Sequence, residues 1–157
     1  MNRDNDFQCD RDSKKRIMEA MKERYKPNLF IFEIEENPKA IIDCRAIGIT
    51  PNGKTIHYII ECKHRNCTAD KYDAYYCEPN KYQSLLFETL TSGIDRALIA
   101  NEFSDGTILL WNINDLDPNE TEDVMIARTT VGIGNFLSQK IKQKRILMHK
   151  DKAIKIK

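Results

Sequence analysis

The sequence predicts an α/β (α+β) domain, on three observations. Its 157 residues suffice for one substantial core. Hydrophobic residues at 41% and charged residues at 31% suit a globular chain rather than a disordered one. The apolar period switches between helical and strand spacing in the order α-β-β-β-α-β-β up to residue 113.

Residues 1–12 are polar and expected to be flexible. Ile17, Met18, Met21 and Tyr25 then fall on one stripe, predicting a helix from Ser13 to Tyr25 that Asp12 or Ser13 caps and Pro27 ends. Three strands follow, over 29–35, 40–49 and 55–64, the last two joined by the turn Pro51-Asn52-Gly53-Lys54. Asn66 to Cys77 reads as a loop rich in Tyr and Asp. Pro79 opens a second helix, because its missing N–H has no partner to lose there. Tyr82, Leu85, Leu86 and Leu90 form that helix's expected buried stripe, and Gly93 ends it. Strands over 96–103 and 107–113 flank Ser104-Asp105-Gly106, a hairpin turn. Residues 114–123 read as a solvated acidic loop, and 129–135 as a turn region. The spacing from Asp115 begins like a calcium loop, but Glu120 and Ile126 stand where Gly and the bidentate Glu belong.

No run of ~18 apolar residues exists, so no membrane-spanning helix is expected. The N-terminus has no apolar signal core, making cytoplasmic residence the expectation. Five cysteines, with no CxxC pair, fit neither a disulfide framework nor a structural zinc site. Net charge is +1 and uneven: residues 140–157 hold eight basic side chains against Asp151, leaving the first 139 residues at −6. Such a tail suits a polyanionic partner, with Lys140, Lys142, Lys144 and Arg145 as candidate nucleic-acid contacts; a solvated edge is the plainer alternative.

The chemistry concentrates on Asp43 in the second strand and Glu61-Cys62-Lys63 in the third. Side chains alternate along a strand, so Glu61 and Lys63 share a face, roughly 6.6 Å apart. A hairpin through residues 51–54 brings Asp43 across from Glu61. Two carboxylates and an amine among Ile41, Ile42, Ile59 and Ile60 suit hydrolysis of a phosphodiester. The carboxylates would hold Mg²⁺ (or Mn²⁺), with the Cys62 carbonyl as a further oxygen ligand. Lys63 would orient water or stabilise the phosphoryl charge. Arg65 continues the same face and suits a phosphate contact. Cys44 and Cys62 point the other way, expected beneath the second helix. Tyr72, Tyr75 and Tyr76 are placed either to stack on bases or to pack over the sheet edge.

Asp43, seventeen residues, then Glu61-Cys62-Lys63 resembles the PD-(D/E)XK core of the restriction endonuclease-like nucleases. That family's α-β-β-β-α-β order, with Asp on the second strand and Glu-x-Lys on the third, matches residues 13–113. The strings YIIECKHR, EPNKYQSLL and FSDGTILLWNI are similar to small phage-type members. The resemblance implies a mixed central sheet flanked by helices and a single nuclease-like domain over 13–139. The basic segment 140–157 would be packed on it or extend it. It implies Asp43, Glu61 and Lys63 as catalytic residues, Mg²⁺ (or Mn²⁺) as cofactor, and DNA as the favoured partner; a two-fold homodimer is the base rate for many nucleases that cut duplexes. Members often add a Glu from the first helix, where Glu19 is the best placed, though it lies off the apolar stripe. They also often place Gln or Lys on the second helix; Lys81 and Gln83 flank the stripe there, Lys81 being preferred. Ile42 stands where the motif's Pro would be. A non-catalytic nucleic-acid-binding module on the same fold, or a small structural or interaction protein, is the alternative.

Overall fold

The computed structural model of the chain describes residues 3–26, 28–37, 39–132 and 135–157, with side chains described outside 3–9 and 127–140. Helix α1 (Arg3–Tyr25) leads into β1 (Leu29–Ile34), β2 (Cys44–Ile49) and β3 (Thr55–Arg65). Then come β4 (Ala74–Cys77), α2 (Pro79–Thr91), β5 (Arg96–Phe103) and β6 (Ile108–Asn112). The hairpin β7 (Thr121–Gly132) and β8 (Asn135–His149) follows, and β9 (Ile154–Lys155) closes the order.

Six strands form a mixed sheet in the order β1-β2-β3-β5-β6-β9. The meander β1-β2-β3 is antiparallel, held by a turn in which Gly53 takes φ +83°. Strands β3 and β5 run parallel. A parallel pair needs a crossover, and the segment through β4 and α2 supplies it. A second, antiparallel sheet of three strands has the order β4-β8-β7.

Strand alternation divides the core into two layers. Cys44, Ile60, Cys62, Leu98, Ala100 and Leu110 face one side and pack with Ile17, Met18 and Met21 of α1. Ile59, Ile99, Phe103 and Trp111 face the other and pack with Leu85 of α2, Tyr75 and Cys77 of β4, and Ile146 and Met148 of β8. The thiols of Cys44 and Cys62 therefore lie beneath α1, not α2, with their sulfurs 3.8 Å apart. Helix α1 is clamped to its sheet face by Glu102, which accepts from Ser13 Oγ at 2.6 Å and Arg16 Nη2 at 2.9 Å, and pairs with His64 Nδ1 at 3.1 Å.

Several expectations change. Helix α1 starts at Arg3, ten residues before the predicted Ser13, and so covers residues expected to be loose. Tyr25 is 40% exposed, because the buried seam ends at Met21. Leu90 is 79% exposed: α2 buries a seam centred on Leu85, and its last turn projects beyond its cover. Strand β4 replaces the end of the predicted loop, because Tyr75 and Cys77 pair with Met148 and Ile146. The expected turn over 129–135 narrows, since β7 and β8 pair as far as Gly132 and Asn135; residues 133 and 134 lie outside the described residues. Among the described residues no helix is long and apolar enough to cross a membrane.

Candidate active site at the junction of β2, β3 and α2

Asp43 sits immediately before β2 rather than within it. The ladder between β2 and β3 ends at the pair Cys44–Ile60. Beyond it, the Cys62 N–H donates to Asp43 Oδ2 at 2.8 Å instead of to a neighbouring backbone carbonyl. The carboxylate thus takes the place of a strand partner, which both ends the strand and fixes the side chain beside Glu61. Continuing the register places residue 43 opposite residue 61.

Glu61 is 3% exposed, at the floor of a cleft of 330 Å³ between the two sheets. Lys81 Nζ lies 3.0 Å from Glu61 Oε2 and donates to the Ile41 carbonyl at 2.8 Å. The contact with Glu61 is an ion pair that partly compensates the buried carboxylate. Lys63 Nζ is 3.7 Å from Glu61 Oε1, with its side chain half exposed to the cleft. Burial, then the charge of Asp43, push the Glu61 carboxyl up to about 7, against the pull of Lys81.

Helix α1 reaches this group through Lys14, which sequence reasoning did not single out. Its Nζ is 3.1 Å from Asp43 Oδ1 and 2.9 Å from Asp10 Oδ2, with the side chain 10% exposed. Burial alone would lower the Lys14 pKa, yet the two carboxylates outweigh it and hold the ammonium above the ordinary lysine range. A lysine beside an apolar stripe reads as solvated; only the docking of α1 brings it to Asp43. Glu19 is exposed on α1, and the structure does not bring it to Asp43 or Glu61. Gln83 is likewise exposed on α2, while Lys81 joins Glu61.

Arg65 lines the same cleft, together with Tyr76, Glu78, Val124, Ile126 and Arg145. Of the basic tail residues, Arg145 faces this cleft and pairs with Glu78 at 3.4 Å. Lys142 and Lys144 are exposed, in register with Met125 and Asp123 on the other face of the hairpin. The Lys140 side chain lies outside the described residues. Among the described residues no group of three or more His, Cys, Asp and Glu side chains converges as a metal cage. Two carboxylates alone suit an ion that keeps most of its waters.

The sheet order, the flanking helices and the parallel β3–β5 pair define a restriction endonuclease-like fold. Among solved structures, the chain is similar to Hjc, a Holliday junction resolvase of the archaeal hyperthermophile Archaeoglobus fulgidus. The TM-score is 0.52, with 14% identity over 90% of this chain and 87% of that one. No family model matches the sequence, and no curated protein does.

Proposed function

We propose that this chain is a divalent-metal-dependent nuclease acting on DNA, with Asp43, Glu61 and Lys63 as its catalytic residues. The observation that carries the reading is the pair Asp43 and Glu61. Two carboxylates share one partly dry site, in which Glu61 is 3% exposed and residue 43 lies opposite it in register. Mutual repulsion of this kind is relieved by a cation, so the residues present fit one. Asp43 and Glu61, with the Cys62 carbonyl, would hold Mg²⁺ or Mn²⁺. Such an ion, when bound, polarises a phosphoryl oxygen and acidifies water.

The remaining work falls to the chain itself. Lys14 and the Cys62 N–H hold the two oxygens of Asp43 in fixed directions. Lys81, anchored on the Ile41 carbonyl, steadies Glu61. Lys63, the more exposed ammonium, is free to reach the phosphoryl group and offset its growing negative charge. The neighbour Hjc is a Holliday junction resolvase, which makes branched DNA the first substrate to try beside plasmid. A two-fold dimer would cut both strands of a duplex.

The test is nicking of supercoiled plasmid and of a four-way junction in Mg²⁺ or Mn²⁺, with Glu61→Gln beside the wild type. Cleavage by the wild type and none by the variant is the expected result. Binding with no cleavage in either ion would leave the non-catalytic binding module, which the four cations of the cleft, Lys63, Arg65, Lys81 and Arg145, also suit.

A further inference from the structure

The cleft extends well past the carboxylates. Arg65 lies four residues beyond Glu61 on the same face of β3, roughly 13 Å along the strand. Its Nε is buried and has no hydrogen-bond partner. Among the described residues its Nη2 reaches only the Tyr76 carbonyl, at a long 3.4 Å. No carboxylate forms an ion pair with Arg65 among the described residues. Across the cleft stands Arg145, its side chain 15% exposed, paired with Glu78 at 3.4 Å and in register with Glu122. Burial lowers the Arg65 pKa, Cys67 and Tyr75 oppose that, and the charge of Arg145 makes a smaller lowering contribution. Two guanidinium groups lining one cleft, Arg65 with no carboxylate paired to it among the described residues, are costly to desolvate unless an anion joins them.

We infer that Arg65 and Arg145 form a phosphate subsite for one unpaired nucleic-acid strand, a few nucleotides from the carboxylates. The inference rests on the reading of this cleft as the nucleic-acid site and specifies which form of the polymer it takes. Planar guanidinium forks match phosphate oxygens in pairs. Stacked strands rise ~3.4 Å per nucleotide and splayed ones more, so the separation from Glu61 fits a phosphate of the same strand. The subsite lies between walls: β3 and β5 give the floor, and β4, β7, β8 and α2 the sides. A cleft of 330 Å³ is in the size class that encloses one small ligand. A flexible single strand can bend to follow such a cleft, whereas a duplex, stiff over about 150 base pairs, meets it at the rim. Tyr76 at the rim, its hydroxyl fixed by Glu122 Oε2 at 2.7 Å, offers a ring to an unpaired base.

The experiment is fluorescence-anisotropy binding in EDTA, so that no cleavage intervenes. The probes are an oligothymidylate of about 16 nucleotides, with and without a 5′-phosphate, and a blunt duplex of equal length. Arg65→Gln and Arg145→Gln are each expected to weaken single-strand binding about tenfold and to reduce the salt slope by ~0.7. Lys22→Gln, which removes an exposed charge from α1, is expected to change neither. Arg65→Lys is expected to recover part of the loss, and melting curves identify any variant that fails to fold. Arginine variants that fold and bind like the wild type overturn the subsite. Equal binding of the duplex with the same arginine dependence overturns the unpaired strand, and a strict need for the 5′-phosphate overturns the internal diester. Cleavage is read separately. Arginine-dependent binding without cleavage removes the nuclease and keeps the subsite; cleavage with arginine-independent binding does the reverse.

Discussion

At the scale of single residues, the site is a balance of three ammonium groups around two carboxylates. Lys63 is the one with freedom to move, and Lys63→Ala is expected to lower single-turnover cleavage by ~100-fold while binding changes little. Lys63→Arg is expected to fail as well, because a planar fork does not replace a compact ammonium. Unaltered cleavage in Lys63→Ala would remove this residue from the chemistry. Glu61 gives a second prediction, made for the protein in EDTA. Its carboxyl titrates near 7 in the fold but lower in the unfolded chain. The folded state therefore gains most from Glu61 below the unfolded value, and that stability is lost as the pH rises through about 7. Between pH 4.5 and 8 the loss is on the order of 3 kcal/mol, and Glu61→Gln should flatten it in urea titrations. Mg²⁺ or Mn²⁺ should restore stability on the alkaline side by binding the folded state. Asp43→Ala should abolish that gain, whereas an equal thermal response to metal in wild type and variant would exclude a two-carboxylate site.

At the scale of elements, α1 matters because it carries Lys14 to Asp43, and Glu102 is what seats it. Burial raises the Glu102 pKa, but Arg16, Ser13 and His64 outweigh it and bring the carboxyl down to about 2. Its stabilising effect is thus present above the unfolded carboxyl range and disappears as the pH falls toward 2. The effect is on the order of 1–2 kcal/mol, because the Arg16 side chain is 48% exposed and solvent screens the pair. Glu102→Ala removes one partner from a mostly buried cluster and should cost about 3 kcal/mol, measured by denaturant unfolding at pH 7. A change below about 0.5 kcal/mol, the surface range, would show that the apolar seam seats α1 unaided. These elements also show what the sequence could reveal. Strand β5 and the turns at Gly53 and Gly106 were legible, because apolar runs and obligatory glycines are local signals. Strand β4 was not, since four residues rich in Tyr make no period and pair only with a distant strand. The β7–β8 hairpin escaped for a related reason: Glu122, Asp123, Lys142 and Lys144 leave no unbroken alternation of apolar residues. Asp43, Glu61 and Lys63 stood out by spacing, whereas Lys14 and the cleft position of Arg145 depend on tertiary docking.

At the scale of the whole molecule, the chain after β8 ties the two sheets together. The Trp111 indole donates to the His149 carbonyl at 2.8 Å, and β9 then joins the edge of β6. Ile156 N–H donates to the Ile108 carbonyl, and Ile108 N–H to the Lys157 carbonyl, each at 3.0 Å. Deleting residues 153–157 should cost about 2 kcal/mol of backbone pairing and lower the melting temperature by roughly 4–8 °C. An unchanged melting curve would make this strap ornamental. The parallel pair at the centre bears on how the molecule comes into being. Glu61 lies beside Ile99, so the floor beneath the carboxylates exists only after the intervening crossover has closed. Closing such a loop sacrifices chain entropy before any contact repays it, which makes this step slow. A nascent chain that has emerged only through β3 therefore holds its acidic residues on an open edge, exposed to pairing with another chain. Leu85→Ala, which loosens the crossover helix, should slow refolding, while substitutions in the locally paired β7–β8 hairpin should mainly hasten unfolding.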